Sequence, residues 1–268
     1  MRTEIFYFSG TGNTLALTKK LGAKLGNTKI SSIAELYGQP IKIETQIIGI
    51  AFPAYAFGLP RIVQGLVKRL EIPENVYIFA LCNSGGVPGN PFRQLERLLK
   101  VKKRKLAAEF SLVMPSNYLP FGGPGTLEEQ QEQFAFSESK IEEAALMIQQ
   151  QKYGKLQKRS RIPCFLSNVV HKLFLSRTGK AAKKFRVNER CNSCGICVRV
   201  CPSSNIRLDE NSRPEWSECC EQCMACIQWC PQKAIQIRRV PERYPRYHHP
   251  EVLVSEMFLR DDSSTKRD

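Results

Sequence analysis

Cysteine is the residue whose number and spacing in this sequence most clearly indicate chemistry. The chain has eleven cysteines, and nine of them lie within residues 191–230. Two runs share the pattern C-x2-C-x2-C-x3-C-P, and the second begins 29 residues after the first. The runs consist of Cys191, Cys194, Cys197 and Cys201, and of Cys220, Cys223, Cys226 and Cys230. Because a reducing compartment disfavours structural disulfides, thiols clustered in this way indicate a metal site.

The duplication extends beyond the thiols. Ile206 and Leu208 follow the first run, and Ile235 and Ile237 take the same places after the second, which predicts a short strand after each run. Three thiolates at this spacing can each bind a different iron of an iron–sulfur cubane. The ligand of the fourth iron must come from elsewhere. Zinc is the alternative, but its usual paired CxxC ligands fit this pattern poorly. Cys219 breaks the spacing and is interpreted as a bystander thiol.

The two runs resemble those of bacterial two-cluster ferredoxins. In that family the fourth cysteine of each run binds the cluster of the other run. The resemblance implies two [4Fe–4S] clusters with crossed ligands, close enough to exchange electrons. One cluster would be held by Cys191, Cys194, Cys197 and Cys230, and the other by Cys220, Cys223, Cys226 and Cys201.

A second candidate site is a turn rich in glycine, serine and threonine, placed between a β-rich segment and a segment with helical spacing. It consists of Ser9, Gly10, Thr11, Gly12, Asn13 and Thr14. Glycine allows the backbone to approach a ligand closely, and a helix N-terminus offers N–H groups and a positive dipole end to a phosphate. The turn lacks the GK[ST] of a triphosphate loop and the GxGxxG of a dinucleotide site. A plain helix cap is the alternative.

This turn resembles the phosphate loop of flavodoxins, (S/T)xTGNT, and the resemblance covers roughly the first 150 residues. It implies an FMN site in which two later loops hold the flavin ring. The matching positions, with two more from a fourth loop, are Pro53, Ala54, Tyr55, Ala56, Asn83, Ser84, Gly85, Gly86, Asn117 and Tyr118. Tyr55 and Tyr118 are the candidates for stacking on the ring, and ordinary loop packing is the alternative for both.

Alternating strands and helices would position these loops. Strands are predicted at 3–8, 29–33, 46–52, 76–82 and 107–114, and helices at 14–25, 60–70, 91–100 and 127–152. The near-continuous apolar runs favour strands buried on both faces. We therefore predict an α/β fold with a flavodoxin-like, five-stranded parallel sheet, followed by a small α+β ferredoxin-like domain. Ligands of such sheets bind outside the carboxyl ends of the strands, where these loops lie.

The formal net charge of +15 is unevenly distributed. Residues 152–190 contain twelve Lys or Arg and a single acid, Glu189. A solvated linker surface is the default interpretation. The alternatives are a docking site for an acidic redox partner and an interfacial helix near 162–175, which would make peripheral membrane contact. Nucleic-acid binding is not expected, because no DNA or RNA module is recognisable.

These signals predict an FMN domain at 1–153, a basic connector at 154–186, a ferredoxin-like domain at 187–240 and a C-terminal tail at 241–268. The tail, with His248 and His249, is expected on the surface or partly disordered.

The whole chain resembles flavodoxin–ferredoxin fusion proteins of anaerobes. That resemblance implies electron transfer between the clusters and FMN, which couples one-electron to two-electron carriers. A flavin-dependent reductase of a small substrate such as a quinone, or a redox sensor, remains open. Without a signal peptide or a membrane-spanning run, a cytoplasmic location is expected.

Overall fold

The computed structural model describes residues 1–36, 38, 40–157 and 163–259. Residues 158–162 of the predicted connector and 260–268 of the predicted tail lie outside the described residues. In chain order the strands are β1 (Thr3–Tyr7), β2 (Thr28–Ser32), β3 (Ile41–Lys42), β4 (Ile47–Pro53), β5 (Leu70–Glu71), β6 (Tyr77–Ser84), β7 (Ala108–Val113), β8 (Gly154–Lys155), β9 (Phe185–Val187), β10 (Ile206–Leu208), β11 (Pro214–Trp216) and β12 (Ile235–Ile237). The α-helices are α1 (Asn13–Leu25), α2 (Arg61–Arg69), α3 (Pro91–Val101), α4 (Leu127–Gln149), α5 (Cys164–Thr178), α6 (Ile196–Arg199) and α7 (Ala225–Gln228).

A parallel sheet with the strand order β2-β1-β4-β6-β7-β8 forms the centre of the larger domain. Its five long strands follow the 2-1-3-4-5 order of the flavodoxin-like fold. The predicted α/β class and parallel sheet are therefore confirmed. The sheet has one strand more than predicted, because Gly154 and Lys155, which we assigned to the connector, pair with β7 at the sheet edge.

Helices cover both faces of this sheet, and each face has its own apolar core. On one face α1 and α4 pack together and bury Leu17, Leu21, Ile141 and Ile148 against the strands. On the other face α2 and α3 bury Val63, Leu66, Val67, Leu95 and Leu99. Each buried side chain of this size contributes about 1.5–3 kcal/mol relative to an exposed one. The central strands β4 and β6 are buried along their whole lengths, as their apolar runs predict.

The backbone of the smaller domain repeats with the sequence. Helix α7 lies 29 residues after α6, and β11 and β12 lie 29 residues after β9 and β10. Residues with positive φ recur at the same offset, as Ser193 and Gln222, Gly195 and Met224, and Ser204 and Lys233. Pairing is crossed between the halves: β12 pairs antiparallel with β9, and β10 pairs antiparallel with β11. The strand that follows each cysteine run therefore lies beside the strand that precedes the other run.

The C-terminal segment 241–259 is packed rather than loosely attached. Tyr247, His249, Val252 and Met257 are buried, so the expectation of a surface tail is wrong for these residues. The ring of His249 lies 4.8 Å from that of Phe134, and burial lowers the pKa of His249 to about 4. The imidazole is thus neutral at pH 7 and can be buried without a charged partner.

None of the described helices has both the length and the apolar character that crossing a bilayer requires.

The packing of Gly49 between strands gives a first test of the fold. A Cβ at Gly49 would collide with the ring of Phe79, its partner on β6. We expect Gly49→Ala to lower the free energy of unfolding by about 1–3 kcal/mol, measured by urea unfolding followed by circular dichroism. Gly65→Ala, within α2, is the control, because its Cβ would meet nothing within 4 Å. It should raise stability by about 0.5–1 kcal/mol, and equal midpoints for the two variants would contradict the packing.

Candidate functional site

The carboxyl ends of β1, β4, β6 and β7 surround one cavity of about 700 Å³. It lies where β1 is flanked by β2 and β4, the switch point of the strand order. The loops after the strands bring the predicted FMN contacts together, since all except Gly12 line the cavity: Ser9, Gly10, Thr11, Asn13, Thr14, Pro53, Ala54, Tyr55, Ala56, Asn83, Ser84, Gly85, Gly86, Asn117 and Tyr118. The volume is within the range of small-molecule and cofactor sites.

The phosphate loop has the features that an anion site requires. Gly12 precedes α1 with φ +95° and provides no side-chain cap, and its N–H donates to Ser9 Oγ at 3.1 Å. Thr14 Oγ1 donates to Asn83 Oδ1 at 2.6 Å and so joins the first loop to the third. The described residues that line the cavity include no charged side chain. A phosphate bound here would therefore depend on the N–H groups and dipole of α1.

Asn13 and Thr11 join the phosphate loop to the fourth loop. Asn13 Nδ2 donates to the carbonyl of Pro115 at 2.9 Å, and Asn117 Nδ2 donates to Thr11 Oγ1 at 2.9 Å. The other side-chain atom of Asn13, Oδ1, accepts from Tyr247 Oη at 2.5 Å. Because both polar atoms of Asn13 are bonded to protein, its side chain positions the loop, and its backbone remains available to a ligand.

The two candidate stacking tyrosines lie on different walls of the cavity. The Tyr55 ring is 5.9 Å from Phe8 and 6.5 Å from Phe174 of α5, in edge-to-face arrangements. Its hydroxyl is buried without a hydrogen-bond partner among the described residues, and burial raises its pKa well above the usual value. Tyr118 Oη donates to Gln222 Oε1 at 2.9 Å. Both hydroxyls are therefore neutral, and stacking on a flavin stays a prediction.

The eight motif cysteines gather into two groups that cross between the runs. One small void is lined by Cys191, Cys194, Cys197 and Cys230. A second is lined by Cys201, Cys220, Cys223 and Cys226. The crossed strand pairing explains this, because β12 beside β9 carries Cys230 to the first run, and β10 beside β11 carries Cys201 to the second. We call the first set the distal group and the second set the proximal group.

The surroundings of the thiols suit cubanes. Among the described residues, no three His, Cys, Asp or Glu side chains converge as the ligands of a single metal ion do. Each group encloses a space instead, as expected where every thiolate binds a different iron. Burial raises the pKa of Cys197 and of Cys220 to about 11, so iron would supply the positive charge that keeps such thiols ionised. Cys219 is exposed and lines neither void.

Backbone N–H groups point at several of the sulfurs. The amides of Asn205 and Ala234, which are equivalent in the repeat, donate to Cys201 Sγ at 3.2 Å and to Cys230 Sγ at 3.3 Å. Such bonds stabilise negative charge on sulfur and are among the factors that set the potential of a cluster.

The proximal group touches the phosphate loop. A Cβ added to Gly10 would lie 3.0 Å from the Cβ of Cys223 and closer still to its carbonyl oxygen. Trp229 Nε1 donates to the carbonyl of Gly10 at 3.0 Å. Cys223 and Trp229 belong to the same buried cluster as Phe8 of the sheet domain. The cavity and the proximal group therefore share one continuous core.

The C-terminal segment holds the same loop from outside. The N–H of His249 donates to the carbonyl of Thr11 at 2.8 Å, and a Cβ at Gly12 would lie 3.0–3.1 Å from His249 and Val252. Sequence reasoning missed Trp229, Tyr247 and His249. Only Trp229 carries a signal, because it replaces Val200 of the first run and so departs from the repeat.

Several known proteins are similar to parts of this chain. A model of a 4Fe-4S binding domain matches residues 186–207. A flavodoxin from Streptococcus pneumonia TIGR4 aligns over 55% of this chain and 99% of its own, with 16% identity and a TM-score of 0.36. An FMN-dependent NADH-azoreductase from Bacillus anthracis, in complex with FMN, aligns over 56% and 100%, with 10% identity and a TM-score of 0.39. Comparison with curated proteins gave no match.

The chain joins a flavodoxin-like α/β domain to a ferredoxin-like domain that carries a 4Fe-4S binding motif. The strand order of the sheet is that of the flavodoxin-like fold. This combination supports a redox role in electron transfer.

Crossed ligation can be tested by counting iron in double variants. Cys223→Ser should leave about four irons per chain, and adding Cys201→Ser should remove no more, because both residues belong to the proximal group. Cys201→Ser combined with Cys194→Ser should remove nearly all iron. Iron and sulfide analysis after anaerobic purification checks this. Retention of about four irons by the Cys194/Cys201 double variant would mean that each run holds its own cluster.

Proposed function

We propose that this chain transfers electrons between two [4Fe–4S] clusters and FMN, and so couples one-electron carriers to a two-electron carrier. When bound, the clusters exchange single electrons, whereas FMN holds one or two. The observation that carries the proposal is the contact of Gly10, in the phosphate loop, with the backbone of Cys223 in the proximal group. This contact supports a short path between the two cofactor sites.

The loop that carries Cys223 also reaches the cavity itself, through Gln222. Gln222 lies between Cys220 and Cys223, lines the cavity and accepts a hydrogen bond from Tyr118. Arg61 fixes the same loop from the sheet domain, because Nη2 donates to the carbonyl of Cys220 at 3.0 Å and Nε to Glu221 at 3.1 Å. The protein thereby holds the proximal group and the flavin walls as one unit, which favours transfer without rearrangement.

The distal group is the proposed point of exchange with other proteins. Cys194 is exposed, whereas every cysteine of the proximal group is buried. Two exposed cations, Arg186 and Arg190, lie just before the first cysteine run, and Arg190 pairs with Glu242 at 2.9 Å. We propose an acidic redox protein as the partner, with an association that weakens as salt is added.

A second candidate function is the reduction of a small substrate by the bound flavin. Val87 and Phe121 line the cavity and are nevertheless exposed, Phe121 by 90%, so its mouth presents an apolar rim. A small apolar acceptor such as a quinone would fit this surface. Turnover of a soluble quinone by the holoprotein with a reduced donor would favour this function over a carrier role.

Electron transfer through the clusters can be followed from their content and kinetics. Protein purified without oxygen should contain about eight irons, eight sulfides and one FMN. With a reduced two-cluster ferredoxin as donor, a protein too large to enter the cavity, FMN bleaching in a stopped-flow experiment should be at least about tenfold slower in Cys194→Ser and in Cys201→Ser. Two electrons from the donor and two protons from solvent account for full reduction of each flavin.

Cys219→Ser is the matched control, because Cys219 lies in the same segment outside both groups. It should bleach at the rate of the unaltered protein. If Cys201→Ser retained FMN and also bleached at that rate, electrons would be reaching the flavin without the proximal group, and the proposed path would be wrong.

A further inference from the structure

Helix α5 buries polar side chains and leaves a stripe of apolar ones exposed. Its buried residues are Ser167, His171 and Thr178. Four of its large apolar side chains point away: Phe165 is 79% exposed, Leu166 and Leu173 are 52% exposed and Val169 is 38% exposed. A helix packed on a soluble domain normally buries its apolar stripe and exposes the polar one. The proposed electron transfer does not account for this reversed arrangement.

Specific contacts hold the helix in this orientation. The ring of His171 occupies the space that a side chain at Gly58 would need, and Nδ1 lies 3.0 Å from the carbonyl oxygen of Tyr55. Burial lowers the pKa of His171, so the ring is neutral at pH 7. Gln94 Nε2 donates to Asn168 Oδ1 at 3.2 Å on the same side. The apolar face therefore stays turned outward.

Cations border the apolar face. At 3.6 residues per turn, Lys172 and Arg177 fall on opposite edges of the stripe of Phe165, Leu166, Val169 and Leu173, and both are exposed. Helix α5 contains no acidic residue. An outward apolar stripe between cations is the pattern of a helix that lies in the surface of an anionic bilayer.

The same helix forms part of the cavity wall. Val170 and Phe174, on the side of α5 next to the protein, line the cavity together with the exposed rim residues Val87 and Phe121. The outward stripe is thus carried by an element of the candidate flavin site.

We propose that α5 docks this protein on an anionic membrane surface. Phe165, Leu166, Val169 and Leu173 insert among the headgroups, and Lys172 and Arg177 pair with lipid phosphates while their stems cover apolar surface. An acidic protein would match the cations, but a lipid surface also supplies the apolar phase that four outward side chains require.

Flotation with vesicles tests the proposal on the holoprotein. Vesicles of phosphatidylglycerol and phosphatidylcholine should carry the protein up a density gradient, and phosphatidylcholine alone should carry much less. Phe165→Ser combined with Leu173→Ser should weaken partitioning about tenfold or more. Lys172→Gln should weaken it about fivefold. Flavin and cluster absorbance reports that each variant remains folded and loaded.

The control removes exposed apolar side chains elsewhere. Val101→Ser combined with Leu146→Ser alters residues that are 85% and 57% exposed on α3 and α4, and should leave partitioning unchanged. Failure to bind anionic vesicles would overturn the proposal. So would binding that the Phe165/Leu173 variant retains, which is adsorption of a basic protein by charge alone. A dimer in light scattering that this variant disperses would identify a second copy as the occupant instead.

Discussion

The close approach of the Gly10 and Cys223 backbones is the contact on which the arrangement of the two domains depends. It requires a residue without a side chain at the turn after β1, and the turn also needs glycine for a ligand to approach. The carbonyls of Gly10 and Thr11 accept hydrogen bonds from Trp229 and His249, so burying the loop leaves these acceptors satisfied. The start of α1 keeps no side-chain cap and remains available to an anion.

The ferredoxin-like domain has a symmetric backbone in an asymmetric environment. Its strands and left-handed residues repeat at a fixed offset, yet the proximal group contacts the phosphate loop and is buried throughout, whereas Cys194 of the distal group is exposed. Substitutions between the repeats follow this difference, with Trp229 where the first run has Val200 and Met224 where it has Gly195. Since burial and hydrogen bonds to sulfur set cluster potentials, two similar ligand sets in these surroundings would differ in potential.

The cavity lining and the connector differ in charge. No charged side chain occurs among the described residues that line it, whereas the connector carries cations without acids over most of its length. Composition alone describes that segment as a solvated linker. The structure shows a helix held by His171 against the loop of Tyr55, with its apolar stripe outward, so the segment belongs to the wall of the site as well as to the surface.

Local pattern by itself determined much of this protein. The spacing of the cysteines, the apolar runs of β4 and β6 and the turn before α1 are each encoded within a few consecutive residues, and their predicted positions agree with the structure within one or two residues. Tertiary structure decided which segments contact one another. The edge strand β8, the burial of Tyr247 and His249 over the phosphate loop, and the outward face of α5 all arise from contacts between segments far apart in the chain. Periodicity and propensity report which face of an element is apolar, but the surface against which it packs depends on how the whole chain folds.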